Sequence, residues 1–204
     1  FAGEEGTLMH WNGHSVESWH LSDNYHILRL AGDNSGNVYA YVAKGQLNSQ
    51  LSIWKYDQWK WSFMVRVERE TKILDRYHMD HWIYGGMGLW CDETGGLYNT
   101  GRYVYRFSDG RWYMPQNIEG NALGEAIPMY PIWFIEGWNL SDFIIVNRYS
   151  NVYHHDGTGA TQIYRQMSPD NLIMGGVSVG GNTICMAGTR YDPINRGVII
   201  VGRR

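Results

Sequence analysis

The sequence is short of what long helices are made from. Only 18% of its 204 residues are charged, and no stretch holds apolar residues at helical spacing for three turns, where Ala, Leu, Glu and Lys would be expected to dominate. The best candidate, Val65 to Tyr77, is charged, lies between strand patterns and reads as a loop with at most one helical turn. A run of about 18 apolar residues is missing as well, which argues against a membrane-spanning helix. The 17 Lys and Arg are scattered against 20 Asp and Glu, for a net charge of −3. Without a basic stripe to grip a phosphate backbone, nucleic acid is not an expected partner. No Pro/Ser-rich or charged linker interrupts the pattern, so 1–204 reads as one domain. The chain opens on Phe1 rather than methionine, which reads as a processed or trimmed start. Cysteine is scarce too. Cys91 and Cys185 both sit in apolar strand patterns and are expected to be buried free thiols on equivalent strands two repeats apart, too distant for a disulfide.

What the chain does have is aromatics and glycine: 10 Trp, 15 Tyr and 25 Gly. Aromatics suit half-buried pleated surfaces, and glycines suit tight turns. They fall into a repeat. Leu8 to Gly13 leads to Trp19; Leu51 to Gln58 leads to Trp59 and Trp61; Tyr103 to Gly110 leads to Trp112; Asn151 to Gly157 leads to Ile163 and Tyr164. Each is an alternating strand, an Asp/Asn-Gly type turn and a second strand rich in aromatics, with Asp57-Gln58 the degenerate copy. Asp-Gly and Asn-Gly between such runs are a hairpin signal, because both central residues need positive φ. The second turn residue recurs at intervals of 45, 52 and 47 residues.

A further strand pair precedes each hairpin. Ile27–Ala31 with Asn37–Ala43, Trp82–Tyr84 with Gly88–Cys91, Ile132–Ile135 with Asp142–Val146, and Ile173–Val179 with Thr183–Ala187 complete four strands per period. That is the sequence signature of a β-propeller blade. With strands lettered a to d, the chain holds b to d of a first blade, three full blades and a to c of a fifth. The innermost strand is expected to be the most uniformly apolar, and the glycine-rich strand before Val179 suits a crowded place on the axis. A two-sheet sandwich could use the same hairpins, but sandwiches rarely repeat at a fixed period. The ends do not close cleanly, because both terminal pieces contain a c strand. Two incomplete blades side by side, further blades upstream, or a second copy or partner chain completing the ring are the alternatives.

Gly3-Glu-Glu-Gly6-Thr-Leu-Met-His-Trp-Asn-Gly13 and Arg106-Phe-Ser-Asp-Gly-Arg-Trp112 resemble the hairpins of bacterial exported propellers with Asp-box (BNR-like) or tectonin-type blades. The second is a degenerate Asp-box turn, without the usual Ser-x-Asp-x-Gly-x-Thr-Trp order. The resemblance implies an extracellular, periplasmic or surface-attached propeller. It carries over no catalytic residue, since the motif consists of a turn and a blade-locking Trp.

Chemistry-bearing motifs are few. His78-Met-Asp80-His81-Trp82 sets two imidazoles three apart around a carboxylate, but on a strand they face opposite ways and no third ligand follows, so no metal is expected. His154-His155-Asp156 lies in a hairpin, where alternation prevents a compact site. No Gly-x-Ser-x-Gly or activated cysteine motif is present, and the Gly-rich stretches open no helix, so neither a nucleophilic enzyme nor a bound cofactor is expected. The candidate ligand residues are therefore Tyr77, His78, Asp80, His81, Tyr130, Trp133 and Trp138, placed in or beside the longer connections 67–81 and 118–131. With the b-to-c loops (44–50, 92–101, 189–196) these connections would share one ring face. The expectation is a non-enzymatic binding or scaffold propeller that takes a protein or glycan there. The alternatives are a glycan-processing hydrolase or lyase on the same fold, or an assembly subunit.

Overall fold

The computed structural model describes residues 5–45, 50–57, 59–67, 72–74, 80–82, 88–101, 104–113, 132–147, 149–165, 172–191 and 195–203. Every regular element among them is a strand, and every pairing is antiparallel between chain neighbours. β1 (Thr7–Trp11) and β2 (Val16–His20) form a hairpin. Three four-stranded sheets follow. The first is β3 (Tyr25–Gly32), β4 (Val38–Lys44), β5 (Gln50–Asp57) and β6 (Lys60–Val67). A ribbon of β7 (Lys72–Leu74) and β8 (Asp80–Trp82) separates it from β9 (Leu89–Cys91), β10 (Leu97–Thr100), β11 (Val104–Ser108) and β12 (Arg111–Tyr113). Next come β13 (Ile132–Asn139), β14 (Asp142–Asn147), β15 (Val152–His155) and β16 (Ala160–Tyr164). A three-stranded sheet of β17 (Leu172–Gly180), β18 (Thr183–Tyr191) and β19 (Asn195–Arg203) ends the chain.

The period of two along each strand builds the core. Alternate residues of one strand face opposite neighbouring sheets. Ile144 and Val146 of β14 pack with Met174, Ile184 and Met186 of the last sheet, while Phe143 and Ile145 between them pack with Trp90, Tyr98 and Val104. Leu89, Cys91, Leu97 and Tyr105 turn the other way, onto Tyr39, Tyr41, Ile53 and Val67. Sheets stacked face to face in chain order, with first strands β3, β9, β13 and β17 in successive contact, make a β-propeller of four-stranded blades with incomplete terminal ones. Among the described residues the first blade holds strands c and d, and the last holds a to c.

Several expectations need correction. In the blade between Leu89 and Tyr113, Gly88–Cys91 is strand a rather than b, and Leu97–Thr100 is b. The segment 92–101 is therefore a turn and a strand rather than a loop on the b-to-c face, and Trp82 belongs to the ribbon. Leu-Tyr-Asn-Thr is too short and polar a run to register as a strand, although all four residues are buried. Cys91 and Cys185 consequently lie on different strands, a and b, and Cys185 is exposed on the outer face of the last sheet. Val65–Val67 continues β6, and Lys72–Leu74 is a strand, where a loop with a helical turn was expected.

Burial does not single out the innermost strand: β9 is buried throughout but β3 is not, and in the full blades strand b is at least as buried. β10 and β14 are buried throughout and β4 nearly so, because strand b has neighbours on both edges and both faces. β3, on the axis, is half-buried. Gly176 of β17 has nothing near the place of a Cβ, so crowding does not require it.

Among the described residues, the c-to-d turn Asp109-Gly110 is a two-residue loop with positive φ at both residues (51° and 76°). Asn12–Ser15 and Asp156–Gly159 are four-residue loops in which only the glycine is left-handed. There the side-chain oxygen replaces turn geometry: Asn12 Oδ1 accepts from the backbone N–H groups of His14 and Ser15, and Asp156 Oδ1 accepts from Thr158 and Gly159.

Candidate ligand-binding cluster on the ring axis

Three of the four innermost strands carry one residue too many. The register slips between Ile27 and Arg29 in β3, between Ile132 and Phe134 in β13, and between Met174 and Gly176 in β17. A bulged residue leaves the ladder, which frees its carbonyl and re-aims the side chain after it. All three bulges meet at Arg29. Its guanidinium donates to the carbonyl of Leu28, the extra residue of its own strand, at 2.7 Å. It reaches Gly175, the extra residue of β17, at 3.5 Å, a marginal contact. It also lies 4.4 Å from the ring centroid of Phe134, the residue after the extra Trp133 of β13. A side chain from β3 thus crosses to two other innermost strands.

Glu136 stands two residues beyond Phe134 on the same face of β13. Burial pushes its carboxyl up to about 7, and burial alone lowers the pKa of Arg29, which stays cationic at any physiological pH. Neither charge offsets the other, and among the described residues no carboxylate pairs with Arg29. Cys91, near Glu136, is held as a thiol: burial, then Asp33, Asp92 and Glu136, push it up to about 12. It is not a nucleophile.

Tyr77, His78 and Tyr130 lie outside the described residues. Asp80 and His81 belong to β8, with their backbones opposite Leu74 and Ile73. Trp133 is the bulged residue of β13, half-buried against the core shared with the last sheet. Trp138 lies at the far end of β13, next to the a-to-b turn and away from the connections, and its indole N–H donates to the Gly181 carbonyl at 3.0 Å. Neither Trp133 nor Trp138 touches Arg29 or Glu136 among the described contacts. Arg29 and Glu136 were missed although each left a signal: a lone charge inside Ile27-Leu-Arg-Leu-Ala31, and another inside Ile132-Trp-Phe-Ile-Glu-Gly-Trp138.

Elsewhere the ionisable groups build structure. His154 pairs with Asp142 at 2.8 Å, while His155, on the opposite face, stacks on Phe143 at 4.6 Å. Its Nδ1 accepts from the Gly157 N–H, and its Nε2 is buried without a partner. Burial lowers its pKa, against a raising contribution from Asp156 and a smaller lowering one from His154. The folded state therefore favours neutral His155, and stability is expected to fall as pH drops through about 6.5, where the unfolded chain takes up the proton. Urea midpoints at pH 7 and 5 check this, with the drop smaller in His155→Phe. Among the described residues no group of three or more His, Cys, Asp or Glu could hold a metal ion, and no helix is long and apolar enough to cross a membrane.

Fold and axial cluster together define a β-propeller with charged side chains on its innermost strands. No family model matches the chain, and no curated protein matches it in sequence. Solved structures do. A luciferin-regenerating enzyme is similar at 12% identity and a TM-score of 0.59, over 96% of this chain and 70% of that one. A catalytically inactive virginiamycin B lyase from Staphylococcus aureus, solved with quinupristin, is similar at 10% identity and a TM-score of 0.55, over 96% of this chain. This chain spans 63% of the length of that lyase. The SapL1 lectin in complex with alpha methyl fucoside matches at 12% identity and a TM-score of 0.47, covering 99% of this chain and 76% of the lectin, too distant a likeness to carry an argument. At these identities the likeness shows the fold alone.

Proposed function

We propose that the chain is a non-enzymatic binding propeller that recognises a glycan, with Arg29, Phe134 and Glu136 contributing from the axis. One observation carries this reading: a half-buried guanidinium that no carboxylate among the described residues offsets is held in place by three strands, with an unoffset carboxyl on one of them. Such groups are costly to bury and gain from a ligand that supplies hydrogen bonds. A sugar offers several hydroxyls, each both donor and acceptor. Catalysis is less favoured because the buried carboxylates among the described residues are committed: Asp92 holds a turn, and Asp142 holds His154. The ring face bearing the d-to-a and b-to-c connections remains the proposed entry side for the ligand, and export or surface attachment is part of the same proposal.

A glycan array probed with the intact chain tests this, followed by titration calorimetry and mass analysis of the recovered ligand. The expected result is saturable binding of one glycan family, recovered unchanged. A chain that binds no glycan but titrates with a purified protein partner would replace the ligand class. Ligand recovered cleaved would make the chain an enzyme.

A further inference from the structure

We infer that the Arg29 guanidinium is a carboxylate subsite, so that the glycan recognised on the axis is an acidic one; this rests on the binding reading above. The geometry argues it in three steps. First, the guanidinium is positioned by groups that leave its charge intact. Its contacts are two carbonyls and an aromatic face, which orient a cation without neutralising it. Second, two of its five N–H groups are engaged by those carbonyls, and three have no partner among the described residues. The planar fork they form matches the two oxygens of a carboxylate, which lysine would not. Third, the cost is distributed in an unusual way. One bulge in each of three innermost strands is more disruption than a strut between strands requires, since an aliphatic side chain at position 29 could pack on Phe134 without any of it.

Glu136 sharpens the preference. With burial alone pushing its carboxyl up to about 7, it exists in part protonated at neutral pH and can donate to a sugar oxygen as well as accept from a hydroxyl. An acidic monosaccharide presents both complements within one ring: a carboxylate for Arg29 and hydroxyls for Glu136.

The probes are glucuronate and galacturonate against glucose and galactose, which carry a hydroxymethyl group in place of the carboxylate. They are titrated into the native chain and into Arg29→Gln and Arg29→Lys. The expected result is that a uronate binds at least tenfold more tightly than its neutral counterpart. Arg29→Gln should lose that preference, and Arg29→Lys should keep only part of it, with thermal midpoints showing both variants folded. Should Arg29→Gln fail to fold, competition on the native chain takes its place: acetate should displace the uronate and the isosteric acetamide should not. Equal binding of uronate and neutral sugar, or displacement by acetamide as well as acetate, overturns the carboxylate subsite and leaves the glycan reading standing. No binding of any sugar removes both. A third arm uses an acetylated tripeptide with a free or amidated C-terminus. Binding of the free acid in place of the uronates would assign the carboxylate to a protein and overturn the acidic-glycan proposal.

Discussion

Asp92→Ala is expected to destabilise the chain by about 3–5 kcal/mol, a large share of the roughly 5–15 kcal/mol typical of a folded domain. Asp92 is 4% exposed and follows strand a of its blade. One carboxylate oxygen accepts from the Thr94 N–H, the Thr94 hydroxyl and the Gly96 N–H at 2.7–2.9 Å. The other accepts from the Tyr98 hydroxyl at 2.8 Å. Alanine would orphan four donors at once, and both Gly96 and Tyr98 are buried. Tyr98 belongs to the core between two blades and lies 5.0 Å from Trp90, so loss of its anchor reaches beyond the turn. Asp92→Asn keeps one oxygen but sets an amide N–H₂ among donors, and should cost about 2–3 kcal/mol.

The pH dependence separates the charge from the shape. Burial raises the Asp92 pKa, but hydrogen bonds from Thr94, Tyr98 and Gly96 outweigh it, and the net shift is downward. A carboxyl with a depressed folded pKa contributes stability that is present above its unfolded value of about 4 and is lost as pH falls through the folded value. Asp33 is lowered in the same direction: burial raises it, and Asn37 and Ser35 more than compensate. The difference between the native chain and Asp92→Asn, read from urea midpoints, should therefore be constant from pH 7 to 5 and shrink below about pH 4. A difference that holds unchanged to pH 3 would show that the amide's geometry, and not the charge, sets the cost.

Asp33 and Asp92 also show where the sequence was readable and where it was not. Hairpins c–d were visible because long alternating runs flank their turns, as in Tyr103-Val-Tyr-Arg-Phe. Asp33-x-Ser-Gly-Asn37 and Asp92-x-Thr-Gly-Gly96 repeat one a-to-b turn, with the glycine at φ 83° in both, yet in the sequence the second reads as part of a loop. Its following strand, Leu97–Thr100, has a single aliphatic residue, and its burial comes from the blades on either side rather than from its own pattern. Periodicity reports what a strand contributes to the core and not what its neighbours do to it. The axial cluster was hidden for a related reason. Arg29, Phe134 and Gly175 are brought together by register slips, and a lone charge in an apolar run does not show which strands a slip will bring to it. Trp133 and Trp138, candidates for their place beside the longer connections, are a bulged residue and a strand-end tether.

The second large effect is expected at Gly137. It sits opposite Phe143, where the register between β13 and β14 slips again between Gly137 and Asn139. A Cβ there would collide with the Phe143 Cβ, and would stand 2.6 Å from the Phe143 Cα and 2.7 Å from the Asp142 carbonyl oxygen. Two of these three are backbone atoms, which cannot swing aside. Gly137→Ala should therefore force β13 away from β14, at a cost of about 2–4 kcal/mol. The disturbance would pass to Phe143, which is fully buried and stacked on His155, and to Trp138, whose indole reaches Gly181. The matched control is Gly176→Ala in β17, where nothing lies within 4 Å of the added carbon and φ is not left-handed. By restricting the unfolded chain it should leave stability unchanged or raise it by up to about 1 kcal/mol. Urea midpoints for the pair give the test. Equal midpoints would mean that β13 and β14 can separate without loss, and the close approach that aims Trp138 at the last sheet would then have no energetic role. A drop confined to Gly137→Ala ties the conformation of β13, and with it the placement of Phe134 and Glu136, to a single missing methyl group.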